Sequence, residues 1–377
     1  MKVKDMLFKP QCDEAEWHPN FKKIYDEKLP FARKVIMDWA DGFVDRDNKF
    51  VKEFQTTFNS SFWELYLFAV FKRLGLEINM VYDRPDFLIE GDSGFTVEAV
   101  IANNATNNAP EWDKENLEKV IQDWPLEKII DNATLRLANS FVSKSKKYLK
   151  SYKELGHVKG KPFVIAMAPF DSPFTNQQRM QAIHRVLYGL DRYITIDWDE
   201  ENRDILDEIF MESIDKTNGS QVPLGYFTRP EYSHVSALIF SNTATFSKVR
   251  ILSDDPRLTL VGYSKYNDYG TQSIEDVKFK GEYKEDLLDG LMIFHNPYAD
   301  IPLNNRELHN SIIAHSTFEK GLGEIRSYIP HEFLFQRFIY TFMEEDKLPP
   351  QEVVLGVENA IKQAINESKS EFPIYRT

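Results

Sequence analysis

The chain begins its strongest apolar patterning at Asn59, where NSSFWELYLFAVFKRLG sets three small polar residues before an aromatic-rich run that Gly75 stops. The run is apolar around nearly its whole circumference, and a helix without a polar face is a buried one. Residues 51 to 75 therefore predict a core helix. In RPDFLIEGDSGFTVEAV, residues 84 to 100, the period changes to two, and the acidic glycine turn in the middle predicts two paired strands. The Asn- and Ala-rich IANNATNNAPEW that follows predicts a loop. Helical spacing returns from about Leu117 to Leu155, interrupted by Pro125, and PFVIAMAPF at 162 to 170 predicts a buried strand.

The second half is less regular. VSALIFSN (235 to 242) and GLMIFHNPY (290 to 298) predict strands between segments rich in Asn, Asp and Pro, and residues 331 to 346 and 350 to 368 predict helices. No repeat or low-complexity linker separates the halves. The pattern thus predicts a polar N-terminal arm over 1–50, an α/β core over 51–170 and a large α/β elaboration over 171–377 packed on that core.

Register within the paired strands raises the first chemical question. Phe87 and Ile89 share one face with Phe95, Val97 and Ala99, while Asp86, Leu88, Thr96, Glu98 and Val100 take the other. Pairing Phe87 with Val97 and Ile89 with Phe95 keeps apolar partners together; a slip of one residue would set Phe87 against Glu98. The favoured register places Asp86 across from Glu98. Opposed like charges are destabilising, so a divalent cation, a shared proton or a wet edge must compensate. A third acid, Glu64, lies inside the apolar helix. It fits a Ser61-x-x-Glu64 capping box, and it also fits a cation held by three carboxylates.

Composition narrows the class. The chain has 377 residues, a net charge of −13 and 14% aromatic residues. One cysteine, Cys12, excludes a disulfide framework and any cysteine-rich zinc site. The N-terminus turns charged before a signal-like run develops, and LYLFAVF is too short to span a bilayer, which predicts a cytoplasmic protein without a membrane partner. The net charge argues against a protein that coats nucleic acid. Locally the sign reverses: Arg136, Lys144, Lys146, Lys147, Lys150, Lys153, Lys159 and Lys161 face the single acid Glu154 across Thr134 to Lys161. Residues 195 to 215 hold nine acids and one arginine and read as a solvated face.

A Glu on a first helix, Pro-Asp opening a strand, Glu on the next strand, then a helix and a further strand: this order resembles the PD-(D/E)xK nuclease superfamily, the restriction-endonuclease-like fold. The likeness spans residues 58 to about 170 and implies an α-β-β-β-α-β core, a mixed central sheet flanked by helices. Pro85-Asp86 corresponds to the first motif and Glu98 to the acid of the second. Two residues later, where the family has lysine, stands Val100. Members relocate that lysine to the following helix, and here Arg136, Ser140, Lys144 and Tyr148 share a face at spacings of four, with Leu137, Phe141 and Leu149 as the neighbouring docking stripe. The resemblance therefore implies Lys144 as the migrated lysine, Lys147 as the second choice, and Arg136 and Tyr148 as substrate or orientation contacts.

It further implies Mg²⁺ or Mn²⁺ held by Asp86, Glu98 and the Ala99 carbonyl, with Glu64 as a direct or water-mediated ligand. The implied activity is hydrolysis of phosphodiester bonds in nucleic acid, DNA rather than RNA, in defence against foreign genetic elements; a homodimer would cut both strands. On that footing Glu98→Ala and Lys144→Ala are each expected to abolish cleavage with unfolding nearly unchanged. The competing reading is an inactive relative, with Val100 marking a lost lysine, that binds nucleic acid or a protein partner. Elsewhere, His295, His309 and His315 lie close in sequence but lack a metal-site pattern, and SNTATFSK at 241 to 248 lacks a Walker signature.

Overall fold

The computed structural model describes residues 2–26, 29–104, 110, 125–197, 203–269, 272–304, 306, 308–342 and 349–368, with the side chains of 192–208 excepted. In chain order come helices α1 (Pro19–Tyr25), α2 (Pro30–Trp39), α3 (Phe50–Thr56) and α4 (Asn59–Arg73). Strands β1 (Ile78–Asn79), β2 (Phe87–Ile89) and β3 (Phe95–Asn103) precede α5 (Leu126–Lys147), which runs into a π-helical turn at Tyr148–Tyr152; β4 (Phe163–Phe170) follows. Helix α6 (Gln181–Tyr188) leads to the antiparallel pairs β5 (Leu190–Asp197) with β6 (Arg203–Phe210) and β7 (Ser213–Asp215) with β8 (Gln221–Pro223). The remainder is β9 (Ala237–Phe240), α7 (Phe246–Leu252), β10 (Thr259–Lys265), β11 (Ile274–Phe279), β12 (Met292–His295), β13 (Ala314–Glu319), β14 (Glu324–Tyr328), β15 (Leu334–Thr341) and α8 (Gln351–Glu367).

A mixed sheet of eight strands, in the order β1-β2-β3-β4-β9-β12-β13-β14, forms the centre. Strands β3, β4 and β9 are parallel; β2 adds to β3 antiparallel, and β1 adds to β2 antiparallel. Both faces are covered. Phe87, Ile89, Phe95, Val97 and Ala99 join the core built with α1 to α4, whereas Ile165, Met167, Leu238 and Phe240 join the one built with α5 and α6. Covering on both sides explains why β4 reads as an unbroken apolar run rather than an alternation. The chain is thus a mixed α/β protein with a large central sheet flanked by helices. Among the described residues no helix is long and apolar enough to cross a membrane.

Several sequence expectations change. The predicted N-terminal arm is helical, and Phe21, Ile24, Ala32, Ile36 and Trp39 are buried in the core. The helix expected over 51 to 75 is two helices, broken at Phe58, a buried phenylalanine with φ of 38°. Strand β3 runs past Val100 to Asn103. The segment expected to be helical over 331 to 346 contains β15 instead, paired with β10 in a second sheet of order β11-β10-β15. Its run LFQRFIYT is aromatic and apolar without a helical period, and such short runs suit either element until a partner strand is present. Helix α8 agrees with the predicted 350 to 368 and closes that sheet: a Cβ on Gly262 would lie 2.0 Å from Ile361 Cγ2, so only glycine admits this approach. The acidic run over 195 to 215 supplies parts of β5, β6 and β7. The predicted helix start at Leu117 and the loop residues from Ala105 to Ala109 lie outside the described residues.

Candidate active site at the open end of the β2–β3 pair

Strand pairing delivers the expected register, Phe87 with Val97 and Ile89 with Phe95. Continuing it one residue beyond the end of β2 sets Asp86 opposite Glu98. Because β2 stops at Phe87, the Ala99 N–H has no strand partner on that side, and Asp86 Oδ2 accepts from it at 2.7 Å. A strand residue points its N–H and C=O to the same edge. The Ala99 carbonyl therefore faces the same opening.

Glu98 projects toward α5 and is 1% exposed. Its Oε1 accepts from Lys144 Nζ at 2.6 Å and from Lys147 Nζ at 2.9 Å, whereas Oε2 is buried without a hydrogen-bond partner. The two lysines are three residues apart on the last turn of α5 and so share a face. Tyr152, from the π-helical turn, lies beside the carboxylate: burial and the charges of Glu98 and Asp86 hold its phenol above the usual range. Lys147 Nζ also sits 5.1 Å from the Tyr152 ring centre.

Glu64 is no helix cap. Helix α4 starts at Asn59, which puts Ser61 inside the helix rather than at its N-cap. Burial, then the charge of Asp86, holds the Glu64 carboxyl well above the ordinary range, while Arg46 and Lys144 pull it down. Burial, with Glu98 adding to it, pushes Asp86 up to about 6 against the opposing pull of Lys144, the Ala99 N–H and Arg46. Glu64, Asp86, Glu98, Lys144 and Lys147 are thus one electrostatic cluster assembled from α4, the β2–β3 pair and α5.

Two residues expected at the site lie elsewhere. Arg136 donates to the carbonyls of Asn103 (2.6 Å) and Asn104 (3.1 Å), tying α5 to the end of β3. Tyr148 is buried, its ring stacked on Phe163 at 4.1 Å. The cause is the π-helical turn, which ends the spacing of four beyond Lys144. The same rephasing turns Leu149 outward, to 48% exposure, and Tyr148 and Tyr152 inward. Nothing in the sequence marks Arg46, because DGFVDRDNKF has no periodicity. Its Nη1 donates to the carbonyls of Tyr82 (2.8 Å) and Asp86 (2.7 Å).

Among the described residues no three His, Cys, Asp or Glu side chains converge on a metal-ligating arrangement. Two observations nevertheless fit a hard cation: the unpartnered Glu98 Oε2, and a neighbouring Asp86 that resists ionisation. Asp86, Glu98 and the Ala99 carbonyl would hold such an ion, with water or phosphate oxygens completing its shell as magnesium prefers. His295 Nε2 and His315 Nδ1 hydrogen-bond to each other at 3.0 Å, and burial holds both rings down to about 4.

A cation held by Asp86 would bind in a pH-dependent way, because the Asp86 carboxyl is raised. Its ordinary value is 3.8 and its folded value about 6, so the cost of keeping it ionised is present above about pH 6 and is relieved on acidification. The cation-free chain should therefore gain stability as pH falls from about 6 toward 4. A bound cation competes with that proton, and Mg²⁺ affinity should fall about tenfold per pH unit below the Asp86 midpoint. Calorimetric titration of Mg²⁺ across this range checks it; a flat affinity would contradict the Asp86 assignment.

Comparison of the chain with protein-family models, curated proteins and solved structures returned no match.

Proposed function

We propose that this protein is a metal-dependent nuclease, a hydrolase of phosphodiester bonds with a PD-(D/E)xK-like core whose lysine comes from α5. The supporting observation is the Lys144 ammonium 2.6 Å from the buried Glu98 carboxylate, in place of the lysine that Val100 does not supply. The order α4, β1, β2, β3, α5, β4 agrees with the helix-strand-strand-strand-helix-strand core of that superfamily.

Asp86 and Glu98 would hold Mg²⁺ or Mn²⁺, which when bound lowers the pKa of water and offsets charge developing on phosphate. Lys144, anchored on Glu98, places a proton donor where it orients the attacking water and meets the anionic phosphoryl oxygen. Lys147, with its side chain 49% exposed, reaches both Glu98 and solvent and is placed to meet a backbone phosphate. Glu64 accepts a proton readily and sits near enough to Asp86 for their charges to interact, which suits it to relay the proton released by water. The cationic segment after Thr134 supplies local attraction for a polyanion in an otherwise acidic chain, with DNA of foreign elements as the substrate in view.

One observation favours a binding role instead: Lys144 and Lys147 both pair with Glu98, so its charge is already met by side chains of this chain. Cleavage of plasmid and single-stranded DNA with Mg²⁺ or Mn²⁺ separates the readings. The nuclease reading expects wild-type cleavage that Glu98→Ala reduces by about a hundredfold or more, in the range for a lost electrostatic contact in a transition state. Cleavage undiminished in Glu98→Ala would remove the assignment, and binding without cleavage would favour the second role.

A further inference from the structure

Beside Asp86, the loop joining β1 to β2 presents an aromatic ring that the core does not use. Tyr82 is 40% exposed and its neighbour Val81 80%. The Tyr82 ring lies flat on His157, with centroids 3.8 Å apart and planes at 10°. The imidazole occupies one face of the phenol, so the exposure belongs to the opposite face and the edge.

Hydrogen bonds lock this stack to the candidate site from both sides. Arg46 Nη1 holds the carbonyls of Tyr82 and Asp86 together on one nitrogen, at 2.8 and 2.7 Å. Those two oxygens can be no farther apart than the two bonds laid end to end. His157 Nε2 meets the Arg84 carbonyl at 2.8 Å, and since a carbonyl only accepts, Nε2 carries the proton. His157 lies five residues beyond Tyr152, the last residue of the π-helical turn. Along that connection Lys150 and Lys153 are exposed, with no ion pair among the described residues.

A ring with an open face, stacked on a histidine a few residues along the chain from exposed lysines, is the combination that binds single strands by base stacking and phosphate attraction. A duplex keeps its base faces against one another and shows proteins only the edges. We propose that the Tyr82–His157 stack is the binding wall for an unpaired nucleobase beside the scissile phosphate, which makes single-stranded or locally unpaired nucleic acid the substrate class. This inference rests on the nuclease reading of the adjoining carboxylates and lysines.

The test titrates the full chain, in EDTA to prevent cleavage, against a short single strand containing 2-aminopurine and against its duplex. Binding to the single strand should be about tenfold tighter than to the duplex, with the 2-aminopurine quenched by stacking. Tyr82→Ala should lose about tenfold in single-strand affinity along with the quenching, and Tyr82→Phe should keep both, because the ring face makes the contact. Thermal unfolding of Tyr82→Ala should match wild type, since the ring is largely outside the core. Equal or tighter duplex binding, or a Tyr82→Ala variant that binds like wild type, overturns the stacking wall. Were such a chain still to cleave duplex DNA with Mg²⁺, the nuclease reading would stand without it. Tyr82-dependent binding with no cleavage by wild type would spare the wall and remove the nuclease. A chain that binds neither strand form overturns the wall, and one that also fails to cleave with Mg²⁺ overturns both.

Discussion

Removing both ammonium groups from Glu98, as Lys144→Ala combined with Lys147→Ala, is expected to abolish Mg²⁺-dependent cleavage and to lower the unfolding free energy at neutral pH by about 3–5 kcal/mol, the usual cost of leaving a buried charge without its partner. Sequence alone suggested that losing Lys144 would leave unfolding almost untouched. Burial changes that expectation. Glu98 is 1% exposed and shares one oxygen between two lysines, so each lysine partly covers for the other. Lys144→Ala alone should cost less than the pair, and Lys147→Ala least, because solvent screens its half-exposed side chain. Their combination should exceed the sum of the single changes. Adding Glu98→Gln to the double variant should restore most of the stability but no cleavage. Denaturant titrations of the full cycle measure this; a double variant that unfolds like wild type would mean that the Glu98 contacts carry no weight in the folded protein.

A second large effect is expected far along the chain from the candidate site, in a buried triad. Glu285 is fully buried, and its carboxylate meets Lys248 Nζ at 2.9 Å, Arg337 Nη1, and the Tyr283 hydroxyl at 2.8 Å. Lys248 and Arg337 are themselves 0% and 1% exposed at their side chains. Lys248 further donates to the carbonyls of Asp286 and Asp289, and Arg337 Nη2 to the Thr243 carbonyl and Ser247 Oγ. The triad thereby joins α7, β15 and the segment before β12. Glu285→Ala would leave two buried cations facing each other, and the expected loss is about 4 kcal/mol or more. Although burial alone would push the Glu285 carboxyl up, Arg337 and Lys248 hold it at about 2, below its ordinary 4.5. Its stabilising contribution is therefore complete above about pH 4.5 and is lost as pH falls toward 2. Unfolding followed by near-ultraviolet circular dichroism across that range should show the loss in wild type, and Glu285→Gln should remove the corresponding pH dependence. A Glu285→Ala chain within about 1 kcal/mol of wild type would contradict the triad's role. Under the proposed nuclease function, cleavage per folded molecule should not change, which distinguishes this variant from those at Glu98.

The paired acids were legible in the chain because strand period is a local property. Once Phe87, Ile89, Phe95 and Val97 were required to share a face, a single register survived, and it is the one observed. The two lysines that meet Glu98 were partly legible: a spacing of four set Arg136, Ser140, Lys144 and Tyr148 on one helix face, and the family resemblance implied Lys144, then Lys147. That rule failed four residues later, at Tyr148, because a π-helical turn follows from how α5 docks rather than from any spacing along it. Arg46 and Tyr152 carried no signal, since one sits in an aperiodic segment and the other beyond the break in helical phase.

By itself the sequence determined what periodicity can encode: the buried helix, the register that opposes Asp86 to Glu98, the apolar strand β4, and a cationic helix face. Tertiary structure decided which charges meet. Lys144 and Glu98 are separated by 46 residues, and their contact depends on the side of the sheet against which α5 packs. It also turned the polar-looking first fifty residues into a helical layer, and made a strand of LFQRFIYT by supplying β10 beside it. The physical reason is common to all of these. A hydrophobic pattern reports which face of an element is buried, whereas the partner on that face is chosen by packing among elements distant along the chain.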